Sequence, residues 1–374
     1  MIYLYGGVKV KIIEKELLTD TPFVAVDLNI MEQNINWLAK LAKEGQIKLR
    51  PHTKTHKSPW IAQKQLEAGA YGITVAKLQE AEVMINQGIT DILVAFPIVG
   101  KKKLERFSEL YSKAKLIVAL DDYKVAQGIN DVGEHHKAKI PIYIDVDTGL
   151  RRMGKTSQES LKEILEIAKL PYIHISGLMS HTGHAYKERT DEAIRKIAIE
   201  DATILNQTKE AIERAGVYVS EISVGSTATV RFLKETPFIT EVRAGTYVFN
   251  DRAVLGTGGA TETDCAATIF ATVVSKPSNE RLIIDAGSKT LAQDLYREGG
   301  HGYIKGFDNL AINRLSEEHG IVDIIGKCSL NIGDVVEIIP NHICPVINLA
   351  DKIYGFRDGI YEREIRIEGR GKNR

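Results

Sequence analysis

An eight-stranded α/β barrel followed by a mostly antiparallel β domain is the architecture this sequence predicts. Three observations lead there. Short β-branched runs alternate with amphipathic stretches from about residue 47 to about residue 255. Several of those runs are apolar along their whole length, as parallel strands buried on both faces require. Beyond about residue 255 strand-like runs continue, but no long helical segments separate them.

The eight barrel strands are expected at 47–51, 72–76, 91–96, 115–120, 141–147, 175–181, 221–226 and 241–249. Between them the spacing is helical. Leu161, Ile164, Leu165 and Ala168 recur at intervals of three and four, entered through a capping box of Thr156 and Glu159. Gly69, Gly88 and Gly216 stand where helices should stop. A doubly wound open sheet is the alternative, but steady alternation over about 200 residues fits a closed barrel better. In the second region, 268–274, 281–285, 334–339 and 361–367 have strand character. The first 25 or so residues also look extended, and only then do Met31, Ile35, Leu38 and Ala42 mark a helix, capped by Asp27 or Asn29. The expected domains are therefore 26–255 for the barrel and 256–374, with 1–25, for the β domain.

Composition narrows the function. The chain has 374 residues, about right for two domains. Lys plus Arg and Asp plus Glu number 49 each, so no global field is available to hold a polyanion, and nucleic acid is an unexpected partner. No apolar run approaches the roughly 20 residues needed to cross a bilayer. The N-terminus lacks the basic flank and apolar core of a secretory signal. Cys265, Cys328 and Cys344 are widely spaced and odd in number, which argues against a disulfide framework and for a reducing, cytoplasmic compartment.

Barrel chemistry gathers at the C-terminal ends of the strands. Strand one ends in Arg50-Pro51-His52-Thr53-Lys54-Thr55-His56-Lys57, strand two in Thr74, and strand five in Asp145, Asp147, Thr148, Gly149 and Arg152. Strand six ends in Ser180, His181, Thr182, Gly183 and His184, strand seven in Gly225, Ser226 and Thr227, and strand eight in Arg243, Ala244, Gly245, Thr246 and Tyr247. Taken singly, Lys54 would be a surface lysine, each histidine a structural hydrogen-bonding group, and each glycine loop a plain turn. Together they describe one rim that binds an anion and holds a base. Glycine-bearing loops on strands seven and eight are where barrels build phosphate sites.

The strand-one segment resembles the cofactor-lysine motif of the D-serine dehydratase and D-threonine aldolase family. These are fold-type III pyridoxal-phosphate enzymes related to alanine racemase. Asp145-Val146-Asp147-Thr148-Gly149-Leu150-Arg151-Arg152-Met153-Gly154 resembles the arginine segment of that superfamily. Segments 180–186, 224–229, 241–247, 317–320 and 340–345 resemble its further motifs, in family order. The resemblance implies that Lys54 carries the cofactor as a Schiff base and that Arg152 faces the cofactor's phenolic oxygen. His181 lines the ring, and Tyr186 lies near the pyridine nitrogen. Gly225, Ser226, Thr227, Gly245 and Thr246 hold the phosphate, and His342 and Cys344 bind a divalent metal. A thiolate ligand favours zinc, with manganese or magnesium as alternatives. On a regular strand running out of 335–339, an x, x+2 pair would point both side chains to one face, with Pro345 ending the pairing.

The activity implied by the resemblance is that of a lyase acting on β-hydroxy D-amino acids, by β-elimination or by retro-aldol cleavage. The cysteine at 344 resembles the dehydratase branch, since the aldolases tend to place an aspartate there. An amino-acid racemase without a metal and a non-catalytic pyridoxal-phosphate carrier are the alternatives. The tyrosine base typical of racemases is not identifiable in the sequence, and the added β domain counts against the carrier. A homodimer is the expected assembly.

Overall fold

The structure, a computed structural model, describes residues 3–5, 8–10 and 20–374. Part of the extended N-terminal stretch expected above thus lies outside the described residues. The described chain divides into two compact units. One holds residues 36–54, 59–245 and 372–374, the other residues up to 35, 55–58 and 246–371.

In chain order, β1 (Tyr3–Tyr5) and β2 (Val8–Val10) form a short antiparallel pair, followed by β3 (Phe23–Asp27) and α1 (Leu28–Glu44). Asp27 caps α1, because its Oδ1 accepts the Asn29 and Ile30 N–H groups at 3.0 and 3.1 Å. Asn29 lies inside the helix and is not the cap.

The barrel strands are β4 (Lys48–Leu49), β5 (Ile73–Val75), β6 (Asp91–Val94), β7 (Lys115–Leu120), β8 (Ile140–Asp145), β9 (Ile173–Met179), β10 (Glu221–Val224) and β11 (Glu241–Val242). All neighbours run parallel, in the order β4-β11-β10-β9-β8-β7-β6-β5. The Thr74 N–H donates to Pro51 O at 2.9 Å and the Tyr71 N–H to Leu49 O at 2.7 Å, which joins β4 to β5 and curls the sheet into a TIM-like barrel. Between the strands run α2 (Pro59–Glu67), α3 (Leu78–Asn86), α4 (Lys101–Tyr111), α5 (Tyr123–His136), α6 (Ser157–Ile167) and α7 (Asp191–Arg214). The capping box of Thr156 and Glu159 is present at α6. Its buried face is carried by Ser160, Ile164 and Ile167, while Ala168 is exposed, so the stripe is turned slightly from the predicted one.

An ion cluster, not an apolar layer, lines the N-terminal end of this barrel, and it takes in Arg50, which the sequence places at the opposite rim. The Arg50 guanidinium is 2% exposed and donates to Glu241 Oε2 at 2.8 Å and Asp91 Oδ1 at 2.5 Å. Ser223 Oγ donates to Glu241 Oε1 at 2.7 Å and accepts from Arg243 Nε at 2.7 Å, so the network runs on through the barrel interior. A Cβ at Gly72 would stand 2.4 Å from Arg50 Nη1, so only glycine leaves room for the guanidinium. Removing one member strands a buried charge. Glu241→Ala is therefore expected to cost roughly 3–5 kcal/mol in urea unfolding. A loss below about 1 kcal/mol, the range of an exposed pair, would show the cluster to be solvated.

The second unit is built on β12 (Ala267–Ser278), preceded by a short helix, α8 (Arg252–Leu255). It continues through β13 (Arg281–Ile284), α9 (Ser288–Leu291), β14 (Tyr303–Ile304), β15 (Leu310–Leu315), β16 (Gly320–Ile324) and β17 (Val335–Ile339). It ends with α10 (Ile343–Leu349), β18 (Lys352–Arg357) and β19 (Ile360–Arg366). The strand order is β15-β16-β13-β12-β3-β18-β19, and β17 pairs with β12 and β14. Among the described residues of this unit only the β3–β18 pairing is parallel. The N-terminal strand thus lies between two strands of the C-terminal region, where Phe23 stacks on Phe270 at 5.4 Å and meets Tyr354 edge-on at 5.5 Å.

Candidate active site

Lys54 sits in a single 3-10 turn, Thr53–Thr55, after β4. That turn is tied to β5, since Thr53 Oγ1 donates to Thr74 O at 3.1 Å and Thr74 Oγ1 donates to Arg50 O at 2.9 Å. The Lys54 N–H donates to His52 Nδ1 at 3.4 Å, so His52 carries its proton on Nε2. The His52 N–H donates to Ala244 O at 2.9 Å, which fastens the lysine turn to the residue before Gly245.

After β8, Asp147 Oδ1 accepts the Gly149 and Arg151 N–H groups at 3.0 and 2.9 Å and holds the loop that carries Arg152. After β9, His181 Nδ1 is hydrogen-bonded to Gly225 O. A carbonyl can only accept, so the ring carries its proton on Nδ1 and keeps a lone pair on Nε2. Ser226 and Thr227 follow, both buried. A Cβ at Gly225 would lie 3.1 Å from the Arg243 backbone, so this loop and the strand-eight end pack as one layer. Gly245 and Thr246 are half-buried at that end. Tyr186 packs on a cluster of Ala185, Ile194, Ala198, Ala228 and Phe232.

The charges in the barrel unit converge. Burial, then the positive charges of Lys54, Arg152 and Arg243, pushes His181 down to about 3. Burial and the same three cations hold His52 well below the usual imidazole range. Asp145, which the sequence places at this rim without a role, is raised to about 7 by burial against the pull of Arg243 and Arg152. Lys54, Arg152 and Arg243 thus bear on two buried imidazoles at this rim, and burial and those charges favour the neutral form of both. A phosphate-bearing aromatic aldehyde fits this rim: a lysine for the carbonyl, cations for the anion, and uncharged rings beside the π-system.

In the other unit, His342 and Cys344 are together but not on a strand. β17 ends at Ile339, His342 is the N-cap of α10, and Cys344 is its second residue. This corrects the same-face strand geometry expected above. Pro345 is the helix's third residue, where its missing N–H would have no intrahelical acceptor. Burial works to lower the His342 pKa, but the hydrogen bond and charge of Cys344, with Asp251 and Asp294, raise it to about 9. The Cys344 sulfur lies 3.3 Å from Thr55 Oγ1 and 3.9 Å from Thr246 Oγ1. Among the described residues no cluster of three or more His, Cys, Asp and Glu side chains has metal-binding geometry. Two donors fit an open site, with remaining positions left to water or substrate, and not a closed structural one. No described helix is long and apolar enough to cross a membrane.

Comparison with known proteins shows the family. Residues 26–253 match the family described as "Alanine racemase, N-terminal domain", and residues 266–356 match the "Putative serine dehydratase domain". The D-threonine aldolase of Arthrobacter sp. is 31% identical, over 95% of this chain and 94% of its own. The D-threo-3-hydroxyaspartate dehydratase of Delftia sp. is 30% identical, over 88% and 92%. The crystal structure of D-threonine aldolase from Filomicrobium marinum superposes with a TM-score of 0.86 at 27% identity, covering 95% of this chain and 97% of that one. Structures of D-threo-3-hydroxyaspartate dehydratase, also at a TM-score of 0.86, include a histidine variant and a cysteine variant two positions apart, the latter in the metal-free form. The chain belongs to this alanine-racemase-like family of pyridoxal-phosphate lyases, beside D-threonine aldolase, D-serine dehydratase and D-threo-3-hydroxyaspartate dehydratase.

Proposed function

We propose that the protein is a pyridoxal-phosphate- and divalent-metal-dependent lyase. It converts a β-hydroxy D-amino acid, D-serine or a 3-hydroxy analogue, to a 2-oxo acid and ammonia by β-elimination. The observation that carries this reading is the His342–Cys344 pair at the start of α10, in a chain whose barrel presents Lys54 among cations.

Pyridoxal phosphate, when bound, supplies the electron sink that weakens bonds at the substrate Cα. Lys54 would hold it, and its free amine would serve as the general base at the substrate Cα. Arg152 would pair with the cofactor's phenolic oxygen, His181 would line its ring, and Tyr186 would lie near the pyridine nitrogen. Gly225, Ser226, Thr227, Gly245 and Thr246 receive the phosphate. His342 and Cys344 bind the metal, zinc by preference because of the thiolate, with manganese or magnesium as alternatives. The metal, when bound, acts as a Lewis acid on the β-hydroxyl. The assembly is a homodimer, the commonest closed oligomer, in a cytoplasmic compartment.

The second reading is retro-aldol cleavage, favoured by the 31% identity to D-threonine aldolase. Incubation with D-serine, D-threonine and D-threo-3-hydroxyaspartate separates the two. Keto acid and ammonia are expected; glycine and an aldehyde as main products would overturn the elimination.

A further inference from the structure

His342 and Cys344 stand on a segment that other side chains hold in place. Asp251 is buried, and its Oδ2 accepts the Ile343 N–H at 3.0 Å while its Oδ1 accepts the Val254 N–H at 3.0 Å. One carboxylate thereby caps α8 and ties down the residue between the two candidate ligands. Asn341 donates from Nδ2 to the backbone carbonyls of Asp294 and Gly300, each at 2.8 Å. The Arg252 and Ala253 N–H groups donate to Pro340 O and Asn341 O at 3.0 and 3.1 Å. These bonds fix the backbone on both sides of His342 but leave its ring, which is 47% exposed, to be oriented by something else. The carboxylate facing Nδ1 is Asp294, with Oδ2 at 3.7 Å, and Asn341 anchors the Asp294 backbone beside the ring.

We propose that Asp294 is a positioning residue for the metal pair: its carboxylate takes the Nδ1–H of His342 and turns the Nε2 lone pair toward the metal. This rests on the reading of His342 and Cys344 as the ligands. A metal-bound imidazole needs its second nitrogen satisfied, and a carboxylate there fixes the tautomer and raises the ligand's basicity. With two protein ligands, loss of one ring's orientation is felt more than in a four-ligand site. The 3.7 Å separation is an ion-pair distance, longer than a hydrogen bond, and the proposal requires the pair to close to one when the metal binds.

Cobalt(II) titration of the full-length, cofactor-loaded, metal-stripped protein tests this. A thiolate-to-cobalt absorption band reports Cys344, and the visible d–d bands report the coordination set. Asp294→Ala is expected to weaken cobalt binding roughly 10- to 100-fold with both spectral signatures unchanged. Asp294→Asn should fall between it and the parent, since an amide oxygen still accepts the Nδ1–H without the charge. Parent-like affinity in Asp294→Ala overturns the proposal. An altered d–d spectrum overturns it too, by making Asp294 a direct ligand. If the parent shows no thiolate band, or His342→Ala binds cobalt as tightly as the parent, the metal pair itself fails and the inference with it.

Discussion

Lys54→Ala is expected to reduce turnover of every β-hydroxy D-amino acid by at least roughly 10²–10⁴-fold, the contribution of a positioned general base. Borohydride reduction of the unmutated protein should then leave the cofactor attached to one peptide, the one containing Lys54. The structure gives this lysine a specific setting. Its turn is pinned to Thr74 through Thr53, and its charge acts on both His52 and His181. The nearby alternative, Lys57, is buried in a left-handed backbone conformation, φ 50°, and its carbonyl accepts the Gly369 N–H at 2.9 Å. An adduct mapped to Lys57, or no adduct, would remove Lys54 from the mechanism. Because Lys54 is half-buried on a short turn and carries no strand pairing, the alanine variant should keep the parent's unfolding midpoint. Loss of rate is then separable from loss of fold.

The second large effect is expected at Cys344. Cys344→Ala should abolish turnover while the visible spectrum of the bound cofactor stays as it is in the parent. The sulfur is partly buried and touches Thr55 and Thr246, and it belongs to none of the buried clusters around Phe23, Ala185 and Leu93. A purely structural cysteine would give a stable, active alanine variant. Cys265 is the internal control. It is buried, and burial pushes its thiol pKa up, so Cys265→Ser should leave metal binding untouched. Activity retained in Cys344→Ala would assign the substrate hydroxyl to some other group.

The barrel is legible in the sequence because most strand positions are apolar and buried, so the strand runs stand out between the amphipathic helices. Strand β7 has the bounds its sequence predicts, and the others lie within a few residues of theirs. The exception is the last, expected at 241–249 but ending at Val242, because the chain turns at Gly245 into a 3-10 turn over Thr246–Val248. In the second unit, β15, β16 and β18 are strands that the sequence does not announce. β15 contains Asn313 and Arg314 among its apolar residues, β16 begins with glycine, and β18 is interrupted by Gly355. Each lacks the continuous β-branched signal that long-range pairing then makes unnecessary.

The residues around Lys54 are visible as motifs because strand ends recur at one rim. The setting of His342 and Cys344 is not. Pro345 suggests an end to regular structure, yet in a helix's first turn it is tolerated, so the pair belongs to a helix start. Asp251 and Asp294 carry no sequence signal at all. They meet the segment from 92 and 48 residues away, a separation that no local pattern encodes.

Metal dependence is the most direct test of the proposed lyase. The protein, with cofactor bound, is dialysed against a strong chelator until no divalent metal remains, and D-serine turnover is followed beside the cofactor's visible spectrum. Turnover should disappear, the spectrum should persist, and activity should return on adding zinc or manganese. Full activity after complete metal removal would contradict the metal's role at the β-hydroxyl.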